Sequence, residues 1–323
     1  MVRRPRVLCP IDFSNPSRAA LRYATAVAEH FGAHLTLLTV NDPLISEAAE
    51  LKVGPGWLMR DSERELRRLF EQTFEHRGTF GIDLEYLVTS GQPAPEILRV
   101  ARDLSCDLIV MSTHGLTGFR KLFFGATSER VLRETTVPVL LTPPNEPGPL
   151  YLEDVGRLVR RILVPVDLTA ATSRQVDIAG GLASALRVPM IIATVVEPVR
   201  LPGFAQAHLP SLESERRDRA ENALAEVSTR VPADVKTEAV TAFGDPAEEI
   251  AKFAQSRHAG LIVIGLHASP LSGPRMGSVT YRVLCLTRTL VLALPPTVAQ
   301  GHASGLATAA RVAAPIGVSR GKR

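Results

Sequence analysis

The sequence predicts two repeated α/β domains, each a five-stranded parallel sheet with helices on both faces. Short apolar, β-branched runs alternate with amphipathic helical patterns, as is typical of parallel strands that are buried on both faces. The same motifs recur in the same order at offsets of 152 to 155 residues, which indicates a duplication. A proline-rich stretch at 143–149 separates the two copies and predicts a stiff break between them.

Strand and helix patterns follow one another through both copies. In the first copy, strands are predicted near residues 6–11, 34–40, 82–88, 106–112 and 137–142. Helical periodicity lies near residues 15–31, 61–79, 93–104 and 125–134. In the second copy, strands are predicted near 161–166, 188–196, 234–241, 260–265 and 289–294. Two helix starts are marked by a capping residue and a proline, at Ser14-Asn15-Pro16 and at Asp245-Pro246.

Four pairs of segments carry the repeat. They are 6–12 with 161–167, 91–97 with 244–250, 108–114 with 261–267, and 125–132 with 277–284. From these pairs we expect the following division: a first domain at 1–146, a linker at 147–159, a second domain at 160–297 and a disordered basic tail at 298–323.

The distribution of charge argues against nucleic-acid binding. The net charge is +4, and the four basic residues of the tail account for all of it. The neutral remainder lacks the basic face of a nucleic-acid-binding domain. No apolar run reaches the roughly 18 residues that a membrane-spanning helix needs. Pro10 and Asp12 interrupt the apolar stretch after the basic opening, so we predict no signal peptide and expect a cytoplasmic protein.

A candidate site lies beyond the carboxyl ends of the strands, where open α/β sheets bind their ligands. An acid, Asp12 or Asp167, ends the first strand of each copy. A glycine-bearing loop follows the fourth strand, and a small residue, Ala126 or Ser278, opens the next helix. Such a helix N-terminus exposes backbone N–H groups and the positive end of the helix dipole, which suits a phosphate group.

In the first copy, the loop after the fourth strand reads Ser112-Thr-His-Gly115, nine residues, then Gly125-Ala126. It resembles the motif of ATP-binding universal stress proteins, which is Gly-x-x-Gly, nine residues, then Gly-Ser or Gly-Thr. The spacing and two glycines match this family motif. Ser112 replaces its first glycine, and Ala126 replaces its hydroxyl residue, with Thr127 rotated by about 100° around the helix.

In the second copy, the same loop reads Gly265-Leu-His-Ala268, eight residues, then Gly277-Ser278. It keeps the glycine and the hydroxyl residue that the first copy lacks. It loses the second glycine and one residue of spacing. We therefore expect the first copy to be the main nucleotide site.

The resemblance covers about 1–143 and 160–296. From it we expect this chain to have the properties of the family. It implies Rossmann-like, adenine-nucleotide α-hydrolase-like domains that bind ATP, ADP or AMP, with or without Mg²⁺. Single-domain members commonly pair, so the two copies are expected to form an intramolecular pseudo-dimer, with further self-association left open. The residues that would contact nucleotide by this resemblance are Pro10, Asp12, Val40, Met111, Ser112, Gly115, Gly125, Ala126, Thr127, Asp167, Gly265, Gly277 and Ser278.

Three functions are compatible with these features. The first is a regulatory stress protein that binds an adenine nucleotide with little or no turnover, because the sequence lacks the catalytic lysine and acid cluster of an efficient phosphoryl-transfer enzyme. The second is a scaffold for unknown protein partners in which both sites have decayed. The third is a slow hydrolase or nucleotidyl-transfer enzyme. Cys9, Cys106 and Cys285 stand far apart, so we predict no catalytic residue and no metal site.

Overall fold

The computed structural model describes residues 3–75, 81–113, 125–143, 148–149, 151–198, 212–266 and 276–296. The predicted tail and residues Gly115 and Ala268 lie outside these ranges. No helix of the described residues is long and apolar enough to cross a membrane.

The first copy alternates strands and helices as predicted. Its strands are β1 (Arg6–Pro10), β2 (His34–Asn41), β3 (Asp83–Ser90), β4 (Leu108–Ser112) and β5 (Val139–Thr142). Its helices are α1 (Asn15–Phe31), α2 (Pro43–Val53), α3 (Trp57–Thr73), α4 (Pro93–Asp103) and α5 (Ala126–Glu134).

A helix that joins the copies, α6 (Leu152–Leu158), precedes the second copy. The strands of the second copy are β6 (Ile162–Pro165), β7 (Met190–Val196), β8 (Thr237–Phe243), β9 (Leu261–Gly265) and β10 (Leu290–Leu294). Its helices are α7 (Thr172–Leu186), α8 (Leu212–Ser228), α9 (Pro246–Ser256) and α10 (Ser278–Leu286).

All ten strands form one sheet in the order β3-β2-β1-β4-β5-β10-β9-β6-β7-β8. Strand pairing is parallel within each copy. The copies meet where β5 pairs antiparallel with β10, with Leu140 opposite Leu292. In each copy the strand order reverses next to the first strand, between β1 and β4 and between β6 and β9. These two switch points define where ligands bind in such sheets.

Two layers of apolar side chains cover the two faces of the sheet. One layer joins α1, α3, α7 and α8 to the sheet, for example through Leu21 and Leu224. The other layer joins α4, α5, α9 and α10, for example through Ile97 and Val283. Both layers run through both copies, so the predicted fold class, repeated α/β domains with helices on both faces of the sheet, is confirmed.

Two helices lie where none was predicted. Helix α2 has no buried residue, and its Leu44 and Leu51 are 75% and 84% exposed. The apolar stripe that marks a helix in a sequence is therefore missing, although the Asp42 side chain accepts a hydrogen bond from the Leu44 N–H at 2.8 Å and starts the helix. Helix α6 lies in the predicted linker and begins after the prolines that indicated a break.

Candidate functional site

Each switch point contains the same strained turn after the first strand. Phe13 and Leu168 have φ angles of 62° and 59°, a left-handed conformation that bulky residues rarely adopt and that costs about 1–3 kcal/mol. The sequences Asp12-Phe13-Ser14 and Asp167-Leu168-Thr169 are equivalent, so the strain occurs in both copies. Strain of this kind clusters at functional sites.

A carboxylate oxygen holds each turn in place. In the first copy, Asp12 Oδ1 accepts hydrogen bonds from the Ser14 N–H at 3.1 Å and the Ser14 hydroxyl at 2.5 Å. In the second copy, Asp167 Oδ1 accepts from the Thr169 N–H at 3.1 Å, the Thr169 hydroxyl at 2.8 Å and the Thr172 hydroxyl at 3.3 Å. Both acids are exposed at the carboxyl edge of the sheet. Each acid therefore caps its turn while its carboxylate stays accessible to solvent.

A buried hydroxyl ties the helix after the loop to the end of the fourth strand. Ser128 donates to the Ser112 carbonyl at 2.8 Å, and Thr280 donates to the Gly265 carbonyl at 3.2 Å. Ser128 and Thr280 are the third residues of α5 and α10. This shared bond fixes each helix start above its strand end.

Among the described residues, no side chain caps the N-terminus of α5 or α10. Gly125 and Gly277 occupy the cap positions in extended conformations and make no side-chain hydrogen bond. The next residues, Ala126 and Ser278, are exposed. The glycine caps thus offer no side chain to the first backbone N–H groups of either helix, and such a helix start suits an anion.

The second copy forms a cleft of about 690 Å³ at its switch point. The cleft is large enough for a small-molecule ligand, since such sites typically span about 300–1,000 Å³. Its walls come from the ends of β6, β7 and β9 and the first turns of α9 and α10, and they include Asp167, Val195, Val279 and Thr280. The strained turn and the helix start therefore border one cavity.

Two arginines of α8 also line this cleft. The Arg216 Nη1 group donates to the Glu197 carbonyl at 2.6 Å. Arg219 is 76% exposed and lies 3.8 Å from Glu215. Such a weak, exposed ion pair is worth about 1 kcal/mol or less, so the Arg219 guanidinium can turn toward an anionic ligand at little cost.

The predicted residues of the first copy collect at the ends of β1, β2 and β4, but they differ in exposure. Pro10 ends β1, and Val40 lies half-buried near the end of β2. Met111 is 5% exposed and packs in the core layer with Val131, so its side chain is part of the core rather than of an open surface. Thr127 is half-buried beside the exposed Ala126. Gly115 lies outside the described residues.

In the second copy, Asp167 lines the cleft, whereas Gly265, Gly277 and Ser278 are not among its described lining residues. Their neighbours Ile264 and Val279 do line the cleft. Among the described residues, no group of three or more His, Cys, Asp or Glu side chains is placed to hold a metal ion.

Ser14 was predicted only as a helix cap and Ser128 was not predicted as a site residue, although the repeat carries a signal for both. Ser14 matches Thr169 and Ser128 matches Thr280 in the aligned repeats. A hydroxyl that is retained as serine in one copy and threonine in the other indicates that the hydrogen bond matters more than the side chain. The arginines of α8 lie outside the four pairs of segments that carry the repeat, so the repeat did not single them out.

The comparison with known families agrees with this geometry. The model of the universal stress protein family matches residues 3–143 and 159–295. The chain belongs to the universal stress protein family. Because both halves match, the predicted tandem arrangement of universal stress protein domains is confirmed.

Individual relatives of this universal stress protein match one copy or the whole chain. A universal stress protein of Methanocaldococcus jannaschii is 28% identical over 141 residues, which is 42% of this chain and 80% of the relative. A crystal structure from Pseudomonas aeruginosa matches with a TM-score of 0.60 at 18% identity, covering 97% of this chain and 98% of that one. A universal stress protein from Archaeoglobus fulgidus matches with a TM-score of 0.58 at 20% identity, covering 90% and 98%. The two structures support the fold of the whole chain.

Proposed function

We propose that this universal stress protein is a cytoplasmic regulatory protein in the stress response, which binds an adenine nucleotide and turns it over slowly or not at all. The observation that carries the proposal is the arrangement at each switch point: an acid on a strained turn and a glycine-led helix start without a side-chain cap. In the second copy these features border a cleft of about 690 Å³.

The parts of a nucleotide match the parts of this site. The N–H groups at the start of α5 or α10 suit the phosphates. The carboxylate of Asp12 or Asp167, next along the sheet, suits the ribose hydroxyls or a bound Mg²⁺ ion, both of which bind to carboxylates. Little or no turnover is expected, because the sequence lacks the catalytic lysine and acid cluster of an efficient phosphoryl-transfer enzyme.

We propose the first copy as the tighter site. Its loop keeps the family spacing of nine residues and the glycine at 115, whereas the second copy has alanine at 268 and is one residue shorter. The second copy keeps Ser278 and adds the two arginines of α8, so it remains a weaker candidate site.

Calorimetry on the full-length chain with ATP, ADP and AMP, with and without Mg²⁺, tests this proposal. We expect micromolar binding of at least one of these nucleotides. Ala126→Ser should strengthen binding about tenfold, because it restores a hydroxyl that can donate to a phosphate, a hydrogen bond to a charged group worth about 1.5–3 kcal/mol. A matched Ser278→Ala variant should leave the tight site unchanged.

Absence of binding at millimolar nucleotide would contradict the proposal. It would favour the alternative, a stress protein that acts through protein partners. The observation that favours this alternative is α2, whose Leu44, Ile45, Leu51 and Val53 are all more than half exposed. Exposed apolar groups of this kind are typical of interaction surfaces.

We further propose that residues 1–146 and 160–297 act as an intramolecular pseudo-dimer joined by 147–159. The antiparallel β5–β10 pairing and the core layers shared by both copies support it. Small-angle X-ray scattering of the full chain is expected to show one compact particle, and an elongated profile with two separate lobes would contradict the pairing.

A further inference from the structure

The end of β2 carries a buried amide that the proposed function has not used. Asn41 is the last residue of β2 and is 9% exposed. Its Oδ1 accepts a hydrogen bond from the Ser62 hydroxyl of α3 at 3.0 Å. Its Nδ2 is buried and has no hydrogen-bond partner among the described residues. Buried polar groups are almost always hydrogen-bonded, because an unpaired buried donor has lost its bonds to water, so this amide is suited to an acceptor atom of a ligand.

The repeat shows what surrounds this position. Asn41 in the first copy and Val196 in the second are structurally equivalent, because each ends the second strand of its copy. The Asn41 carbonyl accepts from the Gly91 N–H at 3.0 Å, and the Val196 carbonyl accepts from the Gly244 N–H at 3.2 Å. Val196 lines the cleft of the second copy. By this equivalence we expect Asn41 to lie in the wall of the switch-point site of the first copy.

The order of the strands indicates which part of a ligand would meet this wall. The start of α5 lies above β4, Asp12 follows β1, and Asn41 ends β2 on the far side of β1. Neighbouring strands lie about 4.8 Å apart, so the end of β2 is about 10 Å across the sheet from the end of β4, which carries α5. A nucleotide with its phosphates at α5 and its ribose at Asp12 would place its base near β2.

We propose that the Asn41 side-chain amide is a specificity-determining donor that hydrogen-bonds an acceptor atom of the nucleotide base in the first copy. Ser62 is a positioning residue, since its bond to Oδ1 fixes which way Nδ2 points. The second copy has Val196 in place of this donor, and Arg216 instead donates to the Glu197 carbonyl just after its second strand. The two sites therefore differ in base recognition. This inference rests on the proposed nucleotide binding.

Calorimetry with ATP and with inorganic tripolyphosphate tests the inference, because the second ligand has no base. Asn41→Val introduces the residue of the second copy, so it should fold normally, which a thermal melt verifies. We expect it to weaken ATP binding about tenfold and to leave tripolyphosphate binding unchanged. The matched control Thr142→Val removes a different buried polar group, a hydroxyl without a hydrogen-bond partner among the described residues, and it should leave both affinities unchanged.

Each other outcome overturns the inference. If Asn41→Val weakens ATP and tripolyphosphate equally, the amide acts on the whole site rather than on the base. If neither affinity changes, the amide does not meet the ligand, although nucleotide binding by the protein still stands. If the unaltered protein binds no ATP, the proposed function fails together with the inference, and that result is known before any variant is measured.

Discussion

Replacing Gly260 with alanine is expected to destabilise the chain by about 3 kcal/mol, at the upper end of what overpacking costs. A Cβ atom at this position would lie 1.8 Å from the Leu158 carbonyl oxygen and 2.7 Å from the Val159 Cα. Both obstacles are backbone atoms, so no side-chain rotation can relieve the clash. The Gly260 N–H also donates to the Arg161 carbonyl at 3.0 Å, which restricts any shift of the backbone.

Urea denaturation of the full chain measures this effect. The matched control is Gly181→Ala in α7, where an added Cβ would meet no atom within 4 Å. Alanine is favoured over glycine inside a helix by about 1 kcal/mol, so the control is expected to be as stable as the unaltered chain or more stable. Equal stability of Gly260→Ala and the unaltered chain would show that the end of α6 does not pack against the start of β9.

The contact at Gly260 gives the joining segment a structural role. The end of α6 meets the residue before β9, and Val159 is 4% exposed in the core layer that both copies share. The prolines predict a break in the segment that joins the copies, but the end of this segment packs in the core layer. The helix α6 could not be predicted from the sequence, because a helix of seven residues has too few positions for a periodic apolar pattern. The prolines before it were the only visible signal.

The strands were easier to predict than the helices between them. Each strand at a switch point is an apolar run of four or five residues that is buried on both faces, such as Leu108–Ser112, and such runs stand out in any sequence. Helix α2 does not stand out, because its apolar residues follow no stripe, and in the described part of the chain they are exposed.

The candidate site was predicted in part. Asp12 and Asp167 could be singled out from the repeat. The structure places both at the carboxyl edge of the sheet on equivalent turns. The left-handed Phe13 and Leu168 could not be predicted, since neither residue type favours that conformation. The pairing of Asn41 with Ser62 joins residues 21 positions apart, and only the packing of α3 over β2 brings them together.

Replacing Asp12 with alanine is expected to weaken nucleotide binding by about tenfold to a hundredfold, the largest effect on binding that the site predicts. A charge-assisted hydrogen bond is worth about 1.5–3 kcal/mol, and about 1.4 kcal/mol corresponds to a factor of ten in affinity. Calorimetry with ATP measures it. The same change at Asp167 should affect the tight site little, because that acid belongs to the second copy. The reverse ranking would assign the tight site to the second copy, where the described cleft lies.

Two further variants separate contact with the ligand from support of the turn, because Asp12 Oδ1 also accepts both hydrogen bonds from Ser14. Ser14→Ala removes the hydroxyl bond to Asp12 and the bond by which Ser14 Oγ caps α1 at the Ser17 N–H, but it keeps the carboxylate, so it should retain most of the affinity. Asp12→Asn keeps an oxygen for the turn but loses the charge, so it should lose most of the affinity. If Ser14→Ala is instead as damaging as Asp12→Ala, the acid acts by holding the strained turn at Phe13, and the ribose or the metal ion must be bound by other groups.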